Sequence, residues 1–302
     1  MMRWRRLGLI LDPDQRNAWM YSHAAMPVAL HQDGDLFRIY CSGRDRAGRS
    51  QVGYFEIELG SEPVVKSLRP DPVLAYGELG AYDDCGALNS CFVRAGAELR
   101  MYYVGITTGS SIPFRSYTGL AISHDNGDSF TRYSRGPILP PDDIDPYLTP
   151  NGFVLPEYDG YTAWYTSGVR WVMENGAPKH YYHIKRARST DGIRWEKYGE
   201  VAIDFYEGEY AIARPWVIRD RDLYRMWYSH RGAAYRIGYA ESADGIRWER
   251  KDELGGLGPS NEPWEDEMVS YASIFDHRGR RYMLYNGNRF GKGGIGLAVL
   301  DD

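Results

Sequence analysis

Short runs of alternating apolar and polar residues dominate this chain, and one run recurs five times. It is an aromatic strand that closes on small or polar residues, at 38–43, 100–105, 162–168, 225–230 and 282–287. With Cys41, Tyr103, Tyr165, Tyr228 and Tyr285 taken as equivalent, the copies are spaced by 62, 62, 63 and 57 residues. A further apolar strand precedes each copy, at 22–30, 87–94, 149–155, 211–218 and 269–275, and turn residues such as Asp33-Gly34-Asp35 and Tyr158-Asp159-Gly160 join the pairs. Third strands follow at 51–59, 118–123, 182–189, 236–242 and 294–300, and fourth strands around 132–139, 197–203 and 250–254.

A period of this size in a strand-rich chain predicts repeated small sheets closed into a ring. The expected fold is all-β, one five-bladed β-propeller of four-stranded blades spanning residues 1–302 as a single domain. The last repeat has no residues left for a fourth strand. The unassigned apolar run at 7–11 is therefore expected to pair with the last blade and close the ring, which removes an exposed edge.

Three of the third strands end in related turns containing Asp125-Asn126-Gly127, Asp191-Gly192 and Asp244-Gly245, each closed by Phe130, Trp195 or Trp248. An Asp accepts hydrogen bonds from the backbone that follows it, and Gly supplies the positive φ of the turn, so the motif reads as scaffold.

Composition narrows the function classes. A net charge of −5 and a pI near 5.9 argue against a nucleic-acid surface, which needs a basic face. No apolar run approaches the roughly 20 residues of a membrane helix, and the basic start 1–6 leads into only five apolar residues, too few for a secretory signal. Three cysteines, Cys41, Cys85 and Cys91, read as free thiols, which makes a cytoplasmic location the expectation. The oligomeric state is left open.

In a propeller the first strand of each blade lines the axis, and residues at its start face one mouth of a central funnel. Aligned on Pro27, Asn89, Asn151, Pro215 and Tyr271, the repeats offer Ser22-His23, then Asp83-Asp84, then Asp145 with Tyr147, then Glu207, Glu209 and Arg214, then Glu265, Asp266 and Glu267. Acidic residues thus stand at equivalent places in four repeats. Carboxylates gathered around one axis would repel unless a ligand, a cation or an arginine offset them. Arg214 lies in an otherwise apolar strand, where a lone guanidinium needs a partner.

The five repeats, the Asp-Gly-x-x-Trp turns and the segment 235–248 resemble the five-bladed propeller glycoside hydrolases of families 32, 43, 62, 68 and 130, over essentially the whole chain. The resemblance implies a small carbohydrate or sugar-containing ligand at the axis and no nucleic-acid or membrane partner. Hydrolysis needs two carboxyl groups across the scissile bond, about 6.5–9.5 Å apart for inversion and about 5–5.5 Å for retention. The expected catalytic residues are Glu209 as acid and Asp84 as base, with Glu267 as substitute. The expected substrate-binding residues are His23, Arg44, Asp83, Asn151, Trp171, Arg214, Tyr271 and Asn288. Two alternatives stay open. One is a phosphorylase or transferase whose anion site is drawn from His23, Arg44, Arg214, His230, Arg231 and Arg289. The other is binding without cleavage, motivated by a first inner strand with no carboxylate. His23 beside acidic residues would admit Ca²⁺, but no spaced ligand motif supports one, and neither metal nor cofactor is assigned.

Overall fold

The computed structural model describes residues 2–60, 62–150 and 152–301. Its strands are β1 (Trp4–Leu11), β2 (Ser22–Asp33), β3 (Leu36–Arg44), β4 (Ser50–Leu59), β5 (Pro63–Leu68), β6 (Gly86–Ala95), β7 (Glu98–Thr107), β8 (Arg115–Ser123), β9 (Thr131–Arg132), β10 (Phe153–Glu157), β11 (Gly160–Glu174), β12 (Ala177–Ser189), β13 (Glu196–Ile203), β14 (Ala211–Asp220), β15 (Leu223–Arg231), β16 (Tyr235–Ser242), β17 (Glu249–Arg250), β18 (Ser270–His277), β19 (Arg280–Asn286) and β20 (Ile295–Leu300). Among the described residues, pairing sorts these into five four-stranded antiparallel units: β2–β5, β6–β9, β10–β13, β14–β17, and β18–β20 completed by β1. Single parallel bridges, Ser50 with Gly86 and Tyr182 with Ala211, link the first unit to the second and the third to the fourth.

The first strands β2, β6, β10, β14 and β18 touch in cyclic order, and β18 returns to β2, so the units form a closed ring. The closing strand is β1, which runs antiparallel to β20 from Trp4 opposite Leu300 to Leu11 opposite Ile295. It is longer than the apolar run at 7–11 because Trp4 belongs to it: the Trp4 indole is buried, meets Trp227 edge-on at 6.4 Å and donates to the Gly255 carbonyl at 3.0 Å.

Two devices repeat through the units. Flat aromatic rings lie on glycines of the second and third strands: Trp19 on Gly43 and Gly53, Tyr82 on Gly105 and Gly119, Trp264 on Gly287 and Gly296. A Cβ at Gly53 would stand 2.4 Å from the Trp19 ring, so the ring can sit there only because the side chain is missing. Secondly, the Asp-Gly turns stitch neighbouring units. Asp191 Oδ1 accepts from the amides of Ile193 and Arg194, both at 2.8 Å, which leaves the Gly192 carbonyl to accept from Tyr102 of the preceding unit, also at 2.8 Å. Tyr40 reaches Gly127 and Trp164 reaches Gly245 in the same way. Among the described residues the fifth unit has no such turn, and the Trp227 indole N–H of the fourth finds no acceptor.

The fourth strands depart most from expectation. Only Thr131–Arg132 pairs from 132–139, after which Leu139 makes one bridge to Thr118. Of 250–254, only Glu249–Arg250 is strand, followed by the short helix α1 (Asp252–Gly255). The first unit has a fourth strand, β5, that the pattern does not reveal. These strands form outer edges; β5 is largely exposed and so has no apolar alternation to read. β10 starts at Phe153 rather than 149. The β11–β12 hairpin runs well past the expected ends at 168 and 182, with Trp171 opposite His180 in the projecting part.

Candidate functional site

The mouth of the ring collects the loops before the first strands and the ends of the second strands, as the pairs Ser22–Arg44, Ala211–Arg231 and Ser270–Asn286 show. The acidic residues expected to converge there do something else. One in each of four units, Asp83, Asp145, Glu209 and Glu265, is held by a cation from its unit's outer strand and approached by the phenol of a second-strand tyrosine.

In the second unit Asp83 is 1% exposed and accepts from Arg132 Nε at 2.7 Å and from Tyr103 at 3.0 Å. In the third, Asp145 is fully buried, accepts from Tyr165 at 2.7 Å, Ser167 and Lys185 at 2.9 Å, and has Lys197 at 3.4 Å. Burial would raise the Asp145 pKa, but these bonds outweigh it and hold the group below its ordinary range. In the fifth, Glu265 is fully buried, pairs with Arg6 of β1 at 2.8 Å and accepts from Ser260 at 2.6 Å. Burial and the Glu265 charge together push the neighbouring Tyr285 phenol upward.

The fourth unit elaborates the same clamp. Glu209 takes both ends of the Arg250 guanidinium, at 2.7 and 2.9 Å, and His230 Nδ1 at 2.6 Å. Arg250 also holds Asp252 at 2.6 Å, and Tyr228 donates to Asp252. Burial alone would raise the Glu209 pKa; Arg250, His230 and the Tyr206 amide reverse this and drive it far below the carboxylate range. The Arg250 and His230 bonds thus favour the ionised form of Glu209, which counts against the acid role expected of it. Glu209, His230 and Asp252 also bring ligand atoms within 4.8 Å of one another, as a metal site would, but Arg250 already supplies the cation there.

The first unit lacks an acid at this place. Met20, fully buried, follows Trp19 where Asp83 follows Tyr82 and Glu265 follows Trp264, and Cys41 stands where the other units carry the clamping tyrosine, so a hydroxyl and its carboxylate are lost together.

Asp84 is half-buried in a turn, where Oδ2 accepts from the Gly80 amide at 3.0 Å. Burial raises its pKa, but bonds from the Thr107 hydroxyl, the Gly80 amide and the Cys85 thiol bring it below the ordinary value. Glu267 is exposed. Asn288 is a loop organiser: it accepts from the amides of Glu267 and Met268 at 3.0 Å and donates to Pro263 and to Asp266 at 2.7 Å. Asn151 lies outside the described residues.

The residues that do come together are basic and aromatic. His23, Met26, Arg214 and Tyr271 all adopt left-handed φ, at 63°, 56°, 57° and 57°, beside register shifts in β2, β14 and β18. A bulge re-aims side chains, and each non-glycine residue held this way costs on the order of 1 kcal/mol or more. Arg214 is fully buried; Nη1 donates to the Ser90 carbonyl and to Ser90 Oγ at 3.3 Å, while Nε and Nη2 have no partner among the described residues. Burial lowers its pKa to about 10, with Cys91 and Tyr271 opposing. Burial likewise lowers Arg44, against the pull of Tyr271. Burial, then Arg44 and Lys292, lower His23 to about 4. Tyr271 lies within electrostatic reach of Tyr182, Arg44, Arg231 and Arg214.

From Tyr271 an aromatic path runs to the projecting hairpin. Tyr271 is 6.0 Å from Tyr235, whose hydroxyl bonds Tyr182; Tyr182 stacks on His180 at 4.7 Å, and His180 meets Trp171 at 5.5 Å. Arg231 sits among Tyr210, Tyr235 and Phe290 at 5.4–5.5 Å, with its Nε buried and unpartnered. The fold therefore gathers His23, Arg44, Trp171, Arg214 and Tyr271, and leaves Asp83, Glu209 and Asn288 to structural bonds. Residue reading missed Met26, His180, Tyr182 and Tyr235; the run Lys179-His180-Tyr181-Tyr182-His183 was the available signal. With basic groups at this mouth, the Ca²⁺ reading loses its oxygen ligands. A surface hollow of about 550 Å³ in the second unit is lined by 76–81, Asp83 and 132–135, and so holds the Asp83–Arg132 pair.

No family model matches the chain. Similar solved structures are propeller proteins. One is a glycoside hydrolase, with a TM-score of 0.74 and 16% identity, covering 98% of this chain and 90% of that one. A thermostable family-43 glycoside hydrolase follows at 0.63 and 14% identity over 93% and 89%. An endo-arabinase from Bacteroides thetaiotaomicron gives 0.62 and 12% identity over 93% and 94%. At these identities the likeness fixes the fold. In sequence, the chain is 39% identical over 302 residues to the uncharacterized protein Rv1502 of Mycobacterium tuberculosis strain H37Rv, covering all of both chains. The chain has the fold of the propeller glycoside hydrolases and belongs to the family of that mycobacterial protein.

Proposed function

We propose that the chain is one propeller domain that takes a carbohydrate at the mouth where its first strands begin. The observation that carries this reading is the set of re-aimed first-strand residues, His23, Arg214 and Tyr271, joined to Trp171 on the projecting hairpin. Aromatic faces suit the apolar face of a sugar ring, and basic side chains suit its hydroxyls and charged substituents. Trp171 Nε1 is buried and unpartnered, a donor free for a ligand oxygen.

Among reactions, hydrolysis by two carboxylates has a base in Asp84, which is held ionised, but loses its acid in Glu209. The unpaired arginines favour the second reading, transfer to or from an anionic group, or recognition without cleavage. The test is a thermal-shift and calorimetric survey of the whole protein with neutral and acidic mono- and oligosaccharides, with and without inorganic phosphate. Binding of at least one sugar, weakened about tenfold or more in Trp171→Ala, is the expected result. A survey in which no sugar binds sinks the reading.

A further inference from the structure

The sign of the charge at this mouth is the opposite of what the chain's composition favours. The protein carries a net charge of −5, and most of its other buried or half-buried arginines find carboxylates, among them Arg38 with Glu56, Arg100 with Glu98, Arg132 with Asp83, Arg186 with Glu200 and Arg281 with Asp220, while Arg236 bonds the Tyr235 and Glu267 carbonyls. Arg44, Arg214 and Arg231 do not. Among the described residues no carboxylate oxygen lies within 4.0 Å of any of the three.

Arg214 is the sharpest case. Its guanidinium has no solvent exposure, uses only Nη1, and leaves Nε and Nη2 bare. A buried guanidinium without counter-charge is costly, and backbone held at φ 57° adds to the cost. Leucine or methionine would fill the same space without either unpaired donors or charge. An Nε and an Nη on one edge form the two-pronged fork that matches a carboxylate or phosphate.

We infer that the floor of the funnel is an anion seat, and that the ligand carries a carboxylate or phosphate group held by the free edge of Arg214, with Arg44 and His23 beside it. This deepens the carbohydrate reading and rests on it for the rest of the ligand. The ligand class is an acidic sugar, either a uronate or a sugar phosphate. Tyr271, in reach of Arg44, Arg214 and Arg231, is the hydroxyl that fixes the anion's orientation.

The experiment is calorimetric titration of the full chain with four probes: D-glucuronate, D-glucose 6-phosphate, inorganic phosphate and D-glucose. At least one acidic probe is expected to bind about tenfold or more tightly than glucose, and to lose at least that factor in both Arg44→Gln and Arg214→Met. Arg214→Met is also expected to melt no lower than the parent without ligand, because an apolar side chain replaces an unpaired charge. Should that variant misfold, Arg44→Gln, partly exposed at the mouth, carries the test alone. A preference for glucuronate assigns a carboxylate; a preference for glucose 6-phosphate assigns a phosphate. Inorganic phosphate bound with no sugar bound keeps the seat and removes the carbohydrate reading. Equal binding of glucose and the acidic sugars, or acidic binding unchanged in the variants, overturns the seat and leaves the carbohydrate reading standing. No binding of any acidic probe overturns it as well.

Discussion

Glu209 receives both ends of the Arg250 guanidinium, at 2.7 and 2.9 Å, across 41 residues of chain, and this pair decides what the fourth unit can do chemically. Arg250 is 5% exposed and Glu209 10%, so neither has water as a substitute partner. The pair is one of four like it: Asp83 with Arg132, Asp145 with Lys197 and Glu265 with Arg6 complete the set. What reads along the chain as a ring of acids is, in four of the five units, a clamp tying the inner loop to the unit's outer strand.

Removing one side of such a clamp strands the other. Glu209→Ala is expected to destabilise the fold by about 3 kcal/mol, the lower end for a broken buried pair, because Asp252 still holds Arg250. Urea denaturation reads this directly, and a double cycle with Arg250→Met is expected to recover part of the loss. A Glu209→Ala protein as stable as the parent would remove the clamp from the account.

The closing strand makes a separate forecast. Arg6 faces Glu265, which is fully buried, and Trp4 packs on Trp227. Arg6→Ala is expected to cost about 3–5 kcal/mol, and deletion of residues 1–12 considerably more, since an edge of β20 opens as well. Melting of the deletion variant at the parental temperature contradicts ring closure by β1.

Histidines set an acid limit. Burial, then nearby cations, lower His23 and His180 to about 4, against an ordinary value of 6.5. The unfolded chain therefore binds more protons than the folded one between those values, and stability falls as pH drops from about 6.5 to about 4. Below that window Asp145 and Glu209, whose folded pKa values are depressed, continue the loss. The melting temperature is expected to decline across pH 6.5–4.5, and to decline less steeply in His23→Gln/His180→Gln. An unchanged slope in that variant assigns the acid sensitivity elsewhere.

Thiol chemistry offers a fourth check. Cys41 and Cys91 are buried, and burial raises both pKa values, Cys91 to about 12, whereas Cys85 is partly exposed. One thiol is expected to react quickly with a disulfide reagent in the native protein and all three in denaturant. Rapid reaction of more than one native thiol would mean that the ring opens.

The sequence by itself determined the strands, the repeat, the hairpin turns and closure by the first strand, because alternation, Asp-Gly turns and period are local properties. It also marked His23, Arg214 and Tyr271, since polar groups in apolar inner strands stand out without knowledge of their partners. Of the fourth strands, the one at 197–203 was legible, whereas β5, an exposed edge without alternation, escaped it and β9 and β17 proved shorter than expected. Tertiary structure alone decided the partners: Asp83 meets Arg132 and Glu265 meets Arg6 across 49 and 259 residues, and no local pattern encodes such pairings. A carboxylate's protonation follows from the cation beside it and from its burial, so the conversion of an acidic ring into clamps around a basic mouth came only with the fold.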